Sequence, residues 1–113
     1  MHEVAIMQNA LDIALQQAHL AGGTQIHVLK LRIGELSGVV PEALEFAFDV
    51  VVQGTIAADA HLEIDYIPVV CHCSNCHLDF QPANLFYDCY QCHQISIDVV
   101  RGQELEIASL EVS

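Results

Sequence analysis

Four cysteines stand in the order Cys73-x2-Cys76-x12-Cys89-x2-Cys92. Two residues between cysteines let both thiolates point into one tight turn. Two such turns facing each other make a tetrahedral cage of sulfur. Zn2+ suits that cage, because the ion has no geometric preference from its d electrons and accepts borderline-soft thiolates. All four positions are then protein atoms, so the expected site is closed and structural. The short segment between the turns has little core of its own, and metal binding is expected to supply most of its folding free energy.

Other readings of the cysteines are weaker. A disulfide pair needs an oxidising compartment, and the opening Met-His-Glu-Val has neither a basic leader nor an apolar segment to suggest export. A redox dithiol would need a thioredoxin-like context, and duplicated pairs argue against it. Both pairs run on into histidine, as Cys73-Ser-Asn-Cys76-His77 and Cys89-Tyr-Gln-Cys92-His93. That is also the c-type haem attachment pattern, which again requires export. His77 and His93 are candidate replacement ligands that could exchange with a thiolate in acid, near the imidazole pKa of about 6.5. Each alone reads as an exposed bystander. Cys71 is a fifth thiol without a pair partner and reads as a free cysteine. His19, His27 and His61 read as structural or surface residues.

Met1-His2-Glu3 is the second constellation. An α-amine, an amide nitrogen and an imidazole lie close in sequence and can form fused five- and six-membered chelate rings. A square-planar nitrogen field of this kind suits Ni2+. The Glu3 amide or carboxylate could complete the set. A helix expected directly from Val4 would anchor this tip to the folded domain.

The remaining composition narrows the partners. The chain has 113 residues, 53% of them hydrophobic, enough for one domain or one domain with a small insertion. Three basic residues, Lys30, Arg32 and Arg101, face 15 acidic ones, for a formal charge of -12. Nucleic acid and anionic membranes need clustered Lys and Arg, so neither is an expected partner. A basic protein or a cationic metal is a better match. No apolar run is long enough to cross a bilayer, and the expected compartment is the cytoplasm.

The elements that must position these residues follow from periodicity. Small and apolar side chains from Val4 through Met7, Leu11, Ala14 or Leu15 and Ala18 to Ala21 predict a helix, stopped by Gly22-Gly23. Leu29, Leu31 and Ile33 alternate with Lys30 and Arg32, which predicts a strand. A loop over 34–40 follows. Pro41 opens a second helix, with Leu44, Ala47 or Phe48, and Val51 inward and Gly54 at its close. Residues 61–67 predict a strand with Leu62, Ile64 and Tyr66 on one face, ended by Pro68. Alternation resumes at Ile95, Ile97 and Val99, and Gly102 turns the chain. Leu105 and Ile107 begin a last strand, whose phase slips to Leu110 and Val112, so a bulge is expected near Ala108-Ser109. The expected fold is α+β, two helices packed on a small, mostly antiparallel sheet with an inserted four-cysteine zinc module. The expected division is 1–69 for the first part of a nickel-binding domain, 70–94 for the zinc module, and 95–113 for strands completing the first domain. The strands flanking the module are expected to pair antiparallel.

Three stretches together resemble the HypA/HybF family. They are Met1-His2-Glu3-Val4, the run from Gly34 through Glu-Leu-Ser-Gly-Val-Val-Pro-Glu-Ala-Leu-Glu-Phe-Ala to Phe48 with Gly54-Thr55, and the four-cysteine module. The resemblance covers essentially the whole chain and implies a nickel metallochaperone for [NiFe]-hydrogenase maturation. It implies His2 as the essential nickel ligand with Glu3 beside it, and Cys73, Cys76, Cys89 and Cys92 as zinc ligands. It implies Ni2+ as transferred cargo, a HypB-type GTPase and the hydrogenase large subunit as partners, and, in some organisms, urease maturation proteins. Monomer and homodimer both stay open. The competing reading is a zinc-ribbon adaptor that binds another protein and carries no labile metal. An enzyme is not expected: catalytic zinc needs an open coordination position, and no P-loop, nucleophile elbow or His-Glu-x-x-His pattern occurs.

Overall fold

The computed structural model describes residues 3–83 and 86–113. Helix α1 spans Glu3–Leu20 and buries Met7, Leu11, Ala14 and Ala18, a stripe at helical spacing. Val4, expected on that stripe, is half exposed. The helix ends in a Schellman motif. Gly23 N–H donates to Ala18 O at 2.8 Å, and Gly22 N–H to His19 O at 3.0 Å. Gly22 sits at φ +73°, a conformation that costs glycine nothing.

Strand β1 (Ile26–Gly34) is the centre of the main sheet. A short 3-10 turn over Glu35–Ser37 leads to helix α2 (Pro41–Val51). Pro41 at its first turn lacks only an N–H that no helical carbonyl would have received. Leu44, Ala47 and Phe48 are buried, joined by Val52 just past the helix, while Val51 is only partly covered. Strand β2 (His61–Ile67) returns parallel to β1, as a helical crossover requires. Strand β6 (Leu105–Val112) pairs antiparallel on the other side of β1. Its register moves from Lys30 opposite Ser109 to Leu31 opposite Ile107. Ala108 is thus the extra residue of the expected bulge.

The sheet is covered on one face. Leu29, Leu31 and Ile33 join the helices in a single core with Met7, Leu11 and Leu44. Leu62 and Ile64 of β2 pack against this core, whereas Tyr66 at the strand end is largely exposed. The opposite face is polar. Lys30 stands opposite Glu63 and Ser109, and Arg32 opposite Asp65 and Glu106. Arg32 Nη1 reaches Glu106 Oε1 at 3.3 Å.

A second sheet holds β3 (Val70–Cys73), β4 (Leu78–Phe80) and β5 (Val99–Arg101) in the order β4-β3-β5. Three of the four strand pairings in the two sheets are antiparallel, and only β1 with β2 is parallel. The expected pairing of the strands flanking the module is not what forms. The strand after the module, Val99–Arg101, pairs with β3 in the outer sheet. Only the chain from Leu105 onward returns to the main sheet, so the outer lobe extends past the expected boundary at residue 94. Ile95 and Ile97 are exposed while Ser96 between them is buried. Alternation there has the inverse phase from the one expected.

The two lobes meet at a narrow neck. The molecule measures 54 × 25 × 16 Å with a radius of gyration of 17.5 Å. A spherical domain of this length would have about 13 Å. The chain crosses the neck at Val69 and again at Gly102. A Cβ on Gly34 would lie 2.2 Å from the Gly102 carbonyl, so neither strand could approach with a side chain there. Glu35 clasps the crossing: its Oε1 accepts from Val69 N–H at 2.9 Å. Leu36 N–H donates to Gly102 O, and Gly34 N–H to Glu104 O, both at 2.7 Å.

Candidate metal centre

The outer lobe is built from two matching hairpins. In the first, Cys73 pairs with Leu78 across the β3–β4 turn, and Cys76 sits within that turn. In the second, Asp88 bridges Ile95, with Cys89 N–H donating to Gln94 O and Ser96 N–H to Tyr87 O, both at 2.9 Å. Cys89 and Cys92 lie in its turn. Each hairpin thus places its cysteine pair at the tip, and the tips face each other.

All four sulfurs lie within 4.8 Å of one another. Cys73 Sγ is 3.5 Å from Cys92 Sγ, and Cys89 Sγ is 4.0 Å from Cys76 Sγ. A disulfide needs about 2.05 Å, so these are free thiols. A tetrahedral zinc with bonds of about 2.3 Å sets its sulfurs about 3.8 Å apart. The cage therefore fits Zn2+ in donor chemistry and in size. Cys71 is not part of the cluster. It is fully buried, opposite Phe80 and Val99 in the outer sheet. Burial and then the Asp98 charge raise its pKa, so it behaves as a small core residue.

Backbone donors shape the cage electrostatically. Gln91 N–H points at Cys89 Sγ at 3.4 Å. The Gln94 N–H, helped by Asn75, holds the Cys92 thiol down at about 6 against the opposing effect of desolvation. Cys76 is pushed up to about 12, first by desolvation and then by hydrogen bonds with Cys92, Cys89 and Cys73. Negative charge is therefore favoured at Cys92 over Cys76. A dication at the centre would lift the mutual repulsion and favour four thiolates.

His77 and His93 follow the second cysteine of each pair, and both have left-handed backbones, at φ 54° and 63°. This is what closes each tip back toward its second strand. His93 N–H returns to Cys89 O at 2.8 Å. Neither imidazole belongs to the cluster of possible metal-holding side chains. His93 Nδ1 lies 3.8 Å from Asp88 Oδ2 at the surface. The backbone role of these histidines escaped sequence reasoning, which weighed only their rings. The position just after a Cys-x-x-Cys turn was the available signal.

The lobe has little else to hold it. Its buried core is Val69, Cys71, Cys73, Phe80 and Cys89, so three of five members are cysteines. Such a core cannot offset the ordering of its chain without the metal.

His2 lies outside the described residues. Glu3 opens α1, and its Oε2 is buried without a hydrogen-bond partner among the described residues. A buried carboxylate oxygen left alone is costly, and a cation or donor placed there would satisfy it.

Comparison with known proteins places these features in a family. The model of a family described as hydrogenase/urease nickel incorporation, metallochaperone, HypA matches residues 1–112. The hydrogenase maturation factor HypA of Picosynechococcus sp. is 48% identical over 112 residues, covering 99% of both chains. That of Geobacter sulfurreducens is 43% identical over the same length and coverage. Among solved structures, the Ni metallochaperone HypA from Helicobacter pylori matches with a TM-score of 0.67 at 26% identity, covering 99% of this chain and 97% of that one. A second solution structure of a HypA protein matches with a TM-score of 0.74 at 25% identity, covering 100% and 97%.

Proposed function

The chain belongs to the HypA family, and on that premise we propose that His2 and Glu3 take up Ni2+ at the N-terminus while the four-cysteine lobe holds Zn2+. The protein is a nickel metallochaperone and hydrogenase maturation factor. The family match across residues 1–112 carries that conclusion, and it disfavours the adaptor without labile metal.

The division of labour between the two metals has a physical basis. A delivery protein must hold its cargo firmly enough to select it and loosely enough to release it. A terminal chelate of amine, amide and imidazole can be dismantled by protonation or by a recipient's ligands. A cage of four thiolates has no open position through which an incoming ligand could begin exchange. The Glu3 Oε2, buried without a partner among the described residues, supports the N-terminal assignment, because it puts a free oxygen acceptor beside the proposed chelate. Zn2+ bound by Cys73, Cys76, Cys89 and Cys92 would supply a cross-link between the two hairpin tips. The residues around the cage do the rest: Gln91 and Gln94 donate N–H groups to sulfur.

The protein acts within the hydrogenase maturation machinery. In the proposal, a HypB-type GTPase assists transfer, the recipient is the [NiFe]-hydrogenase large subunit, and some settings add urease maturation proteins. Delivery rather than catalysis is the proposed role, and the cytoplasm is the proposed compartment. No described helix is long and apolar enough to cross a membrane.

Calorimetric titration of Ni2+ into the zinc-loaded, untagged protein, beside His2→Ala, tests the ligand assignment. Loss of one nickel site in the variant, with zinc content unchanged, is the expected result. Equal nickel binding by the variant would remove His2 from the site and leave the zinc assignment standing.

A further inference from the structure

The second hairpin of the outer lobe carries a surface beside the zinc cage, with one cage cysteine, Cys73, in its wall. Its bridge, Asp88 opposite Ile95, is a non-hydrogen-bonded pair, since the bonds run from Cys89 to Gln94 and from Ser96 to Tyr87. Asp88 and Ile95 therefore share one face, and Ile97 follows two residues later in the chain leading to β5. Ser96 turns inward, its hydroxyl bonded to His72 O. Ile95 is 69% exposed and Ile97 is 91% exposed. Ile97 is the most exposed of the large apolar residues on the described surface.

A groove of about 190 Å³ lies against these isoleucines, lined also by His72, Cys73, Ser74, Gln94, Ser96 and Asp98. The space suits one long side chain. Two isoleucines and one carboxylate are among the groups that line it. His72 is already engaged by Asp79 at 2.8 Å. Among the described residues Asp98 has no ion-pair partner, and its backbone amide is taken by Ser96 Oγ. Arg32 is paired with Glu106, and Lys30 lies away on the main sheet, in register with Glu63 and Ser109.

We propose that this groove is a docking site for a partner protein that inserts an arginine or lysine. Its methylene stem lies on Ile95 and Ile97, and its charged head meets Asp98. Charge complementarity selects this occupant. The chain carries -12 overall, which repels both an anionic lipid surface and a second copy of itself. Long basic side chains cover apolar surface with their stems while keeping the head at a carboxylate. The inference does not depend on the nickel reading, since the groove lies in the outer lobe. It does need that lobe folded, so the protein is used zinc-loaded.

The test is a 15N NMR titration of the zinc-loaded full chain with an acetylated hexapeptide alternating leucine and arginine. A matched peptide carrying glutamate in place of arginine is the control. Saturable shifts confined to Ile95, Ile97, Asp98 and their neighbours are expected from the first peptide and none from the second. Ile97→Ser and Asp98→Asn should each weaken binding at least fivefold, and Asp98→Asn should also flatten its salt dependence. Shifts centred on Glu63 and Asp65, or undiminished binding by both variants, would overturn the proposal. Sedimentation showing a wild-type dimer that Ile97→Ser dissociates would overturn it in favour of self-association.

Discussion

At the scale of single residues, the cysteine spacing carried the metal site almost completely. Four thiols at two matched spacings admit few arrangements, and the sulfurs sit where a tetrahedral ion needs them. What spacing could not convey was the work of the backbone around them. Gln91 and Gln94 donate through amides that every residue type possesses, so their identity gives no signal. One consequence is measurable. With Cys92 held at about 6, that thiol is already ionised at neutral pH. Zinc uptake should therefore release more protons below pH 6 than at pH 7.5, because Cys92 must then give up its proton as well. Affinity should fall more steeply with pH once Cys92 also has to lose a proton. Calorimetry in buffers of different ionisation enthalpy reads the count, and a count that does not rise as pH falls through 6 would remove the role given to Gln94. A second consequence concerns His77, whose φ of 54° is tolerated by histidine but not required by it. His77→Gly should leave the zinc-loaded protein as stable or up to about 1 kcal/mol more stable, whereas His77→Val should cost about 1–2 kcal/mol. Chemical denaturation distinguishes this from a ring-based role, in which both variants would lose stability together.

Among the elements, the helices and β1 were legible because one side of each is buried in a deep core. The periods of Met7, Leu11 and Ala14, and of Leu29, Leu31 and Ile33, report burial directly. The chain after the module was not. Ile95 and Ile97 alternate with Ser96 as a half-buried strand would, but the polar residue is the inward one. In a lobe with so small a core, a hydroxyl bonded to His72 O and a metal cage replace apolar burial as the organising force. Hydrophobic alternation then loses its meaning. The same weakness predicts the response to metal removal. Chelation should expose the amides of β3, β4 and β5 to hydrogen exchange while those of α1, β1 and α2 stay protected. Loss of protection in both lobes together would show that the neck couples them more tightly than their separate cores suggest.

Over the whole molecule, the family resemblance foresaw the function, whereas the elongated shape had no counterpart in the sequence. Nothing in composition distinguishes one core from two. The neck depends on contacts between residues far apart in the chain: Gly34 against Gly102, and Glu35 with Val69. The proposed nickel site and the zinc cage thus sit on different lobes, joined by two chain crossings and one carboxylate clasp. Glu35 belongs to the run that carries the family resemblance, but its part as the tie between the lobes is visible only in the fold.

The return of β6 to the centre strand also sets an order in time. Because β6 pairs with β1, the main sheet stays incomplete until the whole outer lobe has been traversed. An unstructured loop between Val69 and Gly102 would have to close by chance, an entropic toll that grows with loop length. A lobe already folded around its ion delivers both loop ends to the neck side by side. Zinc held by the four cysteines, none of which belongs to the main sheet, would then hasten that sheet's final step. In a chain emerging from its N-terminus, the proposed nickel-binding end is made first, yet the sheet beneath it is sealed last, after the metal of the other lobe is in place.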